Sequence, residues 1–428
     1  MEAKYFYLQD EQFPQIAEVQ LNNSKLLRVP FYGSIIRSNI DLQNFKEVVN
    51  THQLKNTQII MYGLGDAEVF KNKKEKTLFE FTGEKLDYKP LSQFITLIDP
   101  TAEYWINAPK TQIEKLEKIK DLPESIRKIL KKSGKEREAE IKKTFKDDSK
   151  ITKIVEWYLK KQIILGAEIG LPPCIPIKGK NSFEYAIKIN RIATTIQQDN
   201  GWQKCLYFSI DFKSFRNEAL IETILKVLYS LKPKFCAFKI FDSENFYKTE
   251  SMIERLNLSK FLEGLKWYRY DGGAVTFTIN TDAIGYHFLG QQLSGFIEPI
   301  SGNYKPDMMR KKKSVNLEED DTKDPYIHFG KYSDPLRLDE KKFEVLQKLS
   351  ENTGVAFPCD CFECSKYEKL PIDKNIFNKV RRKHRIFIRD RFVGELMESI
   401  KNRNLRASLF DRFSENNSKL KIFNNSYG

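Results

Sequence analysis

Eight short apolar runs recur along the chain, and few of them alternate polar with apolar residues. They are Leu26 to Phe31, Gln58 to Tyr62, Phe94 to Ile98, Ile163 to Ile169, Leu206 to Ile210, Phe235 to Phe241, Val275 to Ile279 and Phe296 to Ile300. Runs rich in Ile, Val and Phe without alternation fit strands buried on both faces, the situation in a parallel sheet covered by helices. Helical patterns fall between most of them, over Leu42 to His52, Phe183 to Gln197, Glu218 to Leu231 and Ser251 to Leu265. Eight strands with intervening helices predict an α/β chain folded as a (β/α)8 TIM barrel. A length of 428 residues suits one large domain with an appendage.

Two segments break this rhythm. Lys110 to Lys150 is a highly charged helical stretch, read as an insertion (about 108–150) between the third and fourth strands. Tyr304 to Asp324 carries Arg310, Lys311, Lys312 and Lys313 and then Glu318, Glu319, Asp320 and Asp321. Such like-charge blocks are usually solvated and mobile, and the competing reading is a loop that grips phosphates. The whole chain carries a formal charge of +14, which favours a polyanionic partner. No apolar run approaches the roughly 18 residues that span a membrane, and the start of the chain lacks the pattern of a signal peptide. The expectation is a cytoplasmic protein with no membrane partner.

Six cysteines in 428 residues are not a disulfide framework. Cys174, Cys205 and Cys236 sit singly in apolar runs, whereas Cys359, Cys361 and Cys364 crowd into one loop. A C-x-C-x2-C loop points to a tetrahedral Zn2+ site, and a structural site of this kind is often completed by a histidine. His384, on the following basic helix, is the expected fourth ligand; His52, His287 and His328 are the other histidines. The predicted division is a barrel over 1–335 and a zinc-binding helical subdomain with its tail over 336–428. Glu340 to Asn352 reads as an amphipathic helix, and Ile376 to Asn402 as a basic one.

A Cys-Asp-Cys-aromatic-x-Cys loop after a (β/α)8 barrel, followed by a histidine on a helix, resembles the tRNA-guanine transglycosylase family, whose queuosine, archaeosine and DNA-modifying members exchange a base in nucleic acid. Gly166-Ala-Glu-Ile-Gly-Leu-Pro-Pro-Cys174-Ile-Pro176 is similar to that family's Ala-Asp-Ile-Gly-x-Pro-x-Asp-Ile-Pro strand. The likeness spans about residues 25–402. It implies a pentosyltransferase acting on tRNA, with DNA as the second choice. It also implies association through the zinc subdomain, as a homodimer or with a paralogue.

Family chemistry uses one aspartate to attack ribose C1′ and another to handle the proton on the base. The resemblance sets Asp99 at the proton-handling position, with Thr101 and Ala102 where the family has glycines. It sets Cys174 at the base-recognising aspartate, Asp211 near a glutamine, and Lys239 at a glycine that lets the flat base approach. An inward Lys239 would obstruct that approach. The nucleophile position falls at Ile297, with Glu298 the next residue. Neighbours on a strand face opposite sides, so Glu298 would need a bulge or register shift to serve. Three readings follow: a divergent base-exchange enzyme using Asp99 with Glu298 or Asp211; a non-catalytic subunit that binds nucleic acid beside an active paralogue; or an unrelated barrel enzyme acting on a small molecule.

Overall fold

The structure, a computed structural model, describes residues 17–21, 25–51, 54–69, 93–105, 110–117, 119–241, 252–281, 293–300, 326–327, 336–337, 361–366 and 374–401. An antiparallel hairpin comes first, β1 (Ala17–Gln20) against β2 (Leu26–Val29). The eight-stranded sheet begins one residue later, because Pro30 has no N–H to continue a ladder. Its strands are β3 (Phe31–Ile36), β4 (Thr57–Gly63), β5 (Ile95–Asp99), β6 (Pro176–Ile177), β7 (Cys205–Asp211), β8 (Phe235–Phe241), β9 (Val275–Ile279) and β10 (Gly295–Pro299). All pairs are parallel, in the order β5-β4-β3-β10-β9-β8-β7-β6. Ile169 bridges Leu97 on one edge, and Pro176 pairs with Ser209 near the other. One segment thus meets both edges, and the sheet is curled, consistent with a TIM-like fold.

Both faces of the strands are buried, as the unpatterned runs predict. Ile59, Met61, Leu97, Tyr207, Ala237, Phe277 and Ile297 share the interior cluster, to which the hairpin adds Val19, Leu21, Leu27 and Val29. Residues of opposite parity pack under the helices, Ile60, Tyr62 and Ile98 on one side and Phe208, Ile210 and Phe238 on another. The covering helices include α1 (Asn39–Thr51) and α2 (Leu64–Val69).

Two of the eight expected strands lie elsewhere than predicted. Leu26 to Phe31 is mainly the hairpin strand β2, and the sheet strand follows it. Ile163 to Ile169 is the end of a helix and a turn, with Gly166 at φ 88° where the helix stops. The fourth strand proper is only the two residues of β6, reached through the irregular stretch Gly170-Leu-Pro-Pro-Cys-Ile175, where Pro172 and Pro173 remove ladder donors. Side-chain amides fill in. Gln162 accepts from Leu171 N (2.9 Å) and donates to Leu171 O (2.7 Å). Gln197 donates to Gly170 O and accepts from Cys205 N, while Asn190 pairs with both N and O of Tyr207.

The charged insertion is in the expected place but is four helices: α3 (Lys110–Glu117), α4 (Glu124–Lys131), α5 (Gly134–Phe145) and α6 (Asp148–Ile164). Pro123 precedes α4, Gly134 takes φ 50°, and Asp147 caps α6 by accepting from Lys150 N. Some of its charge is structural: the Arg127 guanidinium donates to Glu117 O, Ile119 O, Lys120 O and Leu122 O. Ile154, Val155, Tyr158 and Leu159 of α6 join the core, and Tyr158 OH accepts from Trp105 Nε1.

The remaining large helices are α7 (Lys180–Asp199), α8 (Glu218–Leu231) and α9 (Met252–Gly272). After a small β11 (Tyr326–Ile327) and β12 (Leu336–Arg337) pair come α10 (Phe362–Lys366) and α11 (Lys374–Lys401). The last helix packs against α1 and β3. Arg389 donates to Pro299 O and Tyr32 OH, and Asp390 accepts from the backbone of Asn56 and Thr57. The basic block Arg310 to Lys313 and the helix expected over Glu340 to Asn352 lie outside the described residues. Among those described, no helix is long and apolar enough to cross a membrane.

Candidate metal centre and a charged cluster inside the sheet

The turn into α10 brings Cys361 and Cys364 against α11. Cys364 N points at Cys361 Sγ (3.4 Å), the N–H to sulfur contact that a tight x2 spacing allows. His384 Nδ1 lies 3.3 Å from Cys361 Sγ and 3.2 Å from Cys364 Sγ, and the three donors are buried. Metal bonds of about 2.3 Å to sulfur and 2.0 Å to nitrogen, at tetrahedral angles, imply S···N separations of about 3.5 Å. Two sulfurs and an imidazole nitrogen at these distances can hold a metal ion. Cys359 lies outside the described residues, as do His52, His287 and His328. Ion pairs brace the centre: Lys383 reaches Glu47 (2.6 Å) and Glu363 (3.7 Å), and Arg382 reaches Asp41 (3.4 Å).

Inside the curled sheet, Asp99 ends β5 and Lys239 lies mid-β8. Lys239 Nζ is 3.1 Å from Asp99 Oδ2 and also donates to Glu103, in the 3-10 turn Ala102–Trp105 that follows β5. All three side chains are buried. Burial alone would lower the Lys239 pKa, but the Asp99 and Glu103 carboxylates outweigh it and hold the ammonium above its ordinary value. Burial, helped by the Asp99 charge and opposed by Lys239, raises Glu103. Two carboxylates sharing one ammonium form a coupled set, and Glu103 holds a proton to higher pH than a free glutamate does.

That proton couples the cluster to pH. The folded pKa of Glu103 exceeds its unfolded value, so the native state binds more protons. Its contribution to stability is complete below the ordinary glutamate range and is lost as pH rises through the folded pKa. The urea midpoint should therefore decline from about pH 4.5 upward, and Glu103→Gln should flatten that decline. An equal slope in both proteins would exclude Glu103 as its source.

The other predicted residues are distributed as follows. Cys174 faces the interior beside the cluster, its thiol pushed well up by burial and by Glu103. Asp211 ends β7 and accepts from Lys213 N (3.0 Å), capping the next 3-10 turn. Ile297 faces inward: a Cβ on Gly33 would stand 3.0 Å from its Cγ1. Glu298 has the opposite parity and accepts from Thr281 N (2.6 Å) and Thr281 Oγ1 (3.0 Å), away from Asp99. Thr101 keeps a glycine-like backbone at φ 52°, and its N–H donates to Asp99.

Glu103, Tyr207 and Ser209 were not singled out by the sequence, although a lone lysine at an inward position of an apolar strand calls for a buried acid. The Tyr207 and Ser209 hydroxyls are buried without a hydrogen-bond partner. The charges of Asp99 and Glu103 act on Tyr207, whose pKa is raised mainly by burial. No protein-family model matches the chain, and no curated protein shows a significant match to it.

Proposed function

We propose that this chain is a divergent tRNA-guanine transglycosylase-like protein that binds nucleic acid, has lost the family's carboxylate attack, and works as the partner of an active paralogue. On this reading the curled sheet is a (β/α)8 barrel. Residues 336–428 form a zinc-binding helical subdomain and tail, with Cys359 as the remaining ligand beside Cys361, Cys364 and His384. The observation that carries the reading is Ile297 at the inward position of β10, with Glu298 turned to Thr281. An alkyl side chain cannot attack C1′. Lys239 adds to it, since an ammonium fixed between Asp99 and Glu103 fills space that a flat base would need.

The test is to incubate the protein with labelled tRNA or DNA and resolve it under denaturing conditions. Salt-dependent binding without a covalent adduct is expected. A denaturant-resistant adduct lost in Glu103→Gln would support a second reading. In that one base exchange persists, with Glu103 attacking and Asp99 carrying the proton; it is favoured only by the closeness of those two acids.

The metal is checked separately. The purified chain should contain about one zinc per molecule by plasma emission spectroscopy, and Cys364→Ser should lose most of it. In that variant, amide exchange should quicken across residues 374–390 while β7 and β8 stay protected. Absence of zinc in the unsubstituted protein would overturn the assignment.

A further inference from the structure

Charge is spread unevenly over the helical insertion. Between Glu124 and Lys146 stand nine lysines and arginines and four carboxylates, so this short stretch carries five of the chain's +14 surplus charges. Three of the nine cations serve the fold. The Arg127 guanidinium holds the turn before α4, and Arg137 donates to Lys132 O (2.6 Å) and Leu130 O (3.1 Å), holding the turn between α4 and α5. Lys132 pairs with Glu140 (2.8 Å). The other six, Lys128, Lys131, Lys135, Lys142, Lys143 and Lys146, are exposed, and none forms an ion pair among the described residues. Elsewhere cations take an acid one helical turn away, as Lys150 does with Asp147, Lys160 with Glu156, Lys226 with Glu222 and Arg391 with Glu395.

The six share the outward side of the α4–α5 hairpin. Lys128 and Lys131 lie opposite the buried Ile126, Ile129 and Leu130 of α4. Lys135, Lys142 and Lys146 follow one ridge opposite the buried Ile141 and Thr144 of α5, and at 1.5 Å per residue that ridge is about 16 Å long. The two helices pack together, and the charges of Lys128 and Lys143 both act on Glu140 between them. Six ammonium groups held this way repel one another, and a polyanion laid across them removes the repulsion. The insertion leaves β5 at Asp99, and α4 packs against the 3-10 turn that carries Glu103. The hairpin therefore stands at the C-terminal ends of the strands, the side on which barrels of this type bind ligands. We infer that the α4–α5 hairpin is a platform that grips the phosphodiester backbone of an RNA beside that face. A membrane surface suits it less, because adsorption needs an apolar face and the exposed residues from Glu124 to Lys146 include no large apolar side chain. The inference rests on the nucleic-acid reading above and names the surface that would do the binding.

The experiment uses the full metal-loaded chain and three combined variants. One is Lys135→Gln with Lys142→Gln and Lys146→Gln; the second puts Arg at the same three positions. The third, Lys226→Gln with Lys232→Gln and Lys260→Gln, removes equal charge from exposed sites on α8, its C-terminal end and α9. Fluorescence anisotropy follows a labelled RNA hairpin across a salt series, and sedimentation follows vesicles of phosphatidylcholine and phosphatidylserine. The first variant should melt at or above the parent temperature, since it loses only repelling surface charges. Its RNA affinity should fall about ten- to hundredfold, with the salt slope smaller by about 2–3. The Arg variant should bind as the parent does, and the α8–α9 variant should lose less than about twofold. Equal losses in the first and third variants, or none in the first, would overturn the platform and leave the functional reading standing. A parent that binds neither RNA nor DNA would overturn both. Vesicle binding that needs the three lysines, without RNA binding, would assign the ridge to lipid headgroups and overturn the proposal.

Discussion

Lys239→Met should destabilise the chain by about 3–5 kcal/mol at neutral pH, the usual cost of removing one partner from a buried ion cluster. The loss comes from what remains. Asp99 and Glu103 would be two buried carboxylates with their shared ammonium gone. Protonation is the available relief, so the deficit should shrink as pH falls into the carboxylate range. The triple variant Asp99→Asn, Glu103→Gln, Lys239→Met should recover most of the loss, because a well-packed neutral set often matches a buried salt bridge. Urea titrations of the single and triple variants at two pH values measure this directly. Lys239→Met within about 1 kcal/mol of the parent at neutral pH would mean that the ammonium is dispensable to the cluster.

The second large effect is expected at Asp390. Its carboxylate accepts from Asn56 N (2.9 Å), Thr57 N (2.5 Å), Thr57 Oγ1 (2.7 Å) and, more weakly, Lys55 N (3.3 Å). Asp390→Ala would leave these donors at the start of β4 without an acceptor. Hydrogen bonds to a charged group contribute about 1.5–3 kcal/mol each and are not additive, so a loss of roughly 3–5 kcal/mol is expected. Asp390→Asn keeps one acceptor oxygen and should lose about half as much. Amide exchange in Asp390→Ala should quicken first at residues 55–57, which a general loss of packing would not single out.

The parts legible in the sequence are those with one physical explanation. Glu218 to Leu231 and Phe235 to Phe241 coincide with α8 and β8, since each is a long, clearly patterned run with turn residues on both sides. Cys361, Cys364 and His384 come together as their spacing suggested, because few structures other than a metal site use such a loop. The ambiguous parts were short apolar runs. Ile163-Ile164-Leu165 is equally apolar as a helix end or a strand start, and the decision lay in Gly166 and in the prolines beyond it. Glu298 illustrates a different limit. Its position in the chain was clear, but which face it takes depends on register, and a one-residue change in register reverses every side chain. Glu103 was missed because its partner Lys239 is 136 residues away, and no local pattern links them.

The clasp between Asp390 and β4 also has a consequence in time. Thr57 and Asp390 are 333 residues apart. At a synthesis rate of about 5–20 residues per second, the start of β4 waits on the order of half a minute for its acceptor. Until the last helix is made, β3 lacks the helix that packs on it, and Tyr32, which Arg389 contacts, is left without that cover. A nascent chain in that condition is a natural client for chaperones. A chain released before Asp390 is made would carry the same defect permanently.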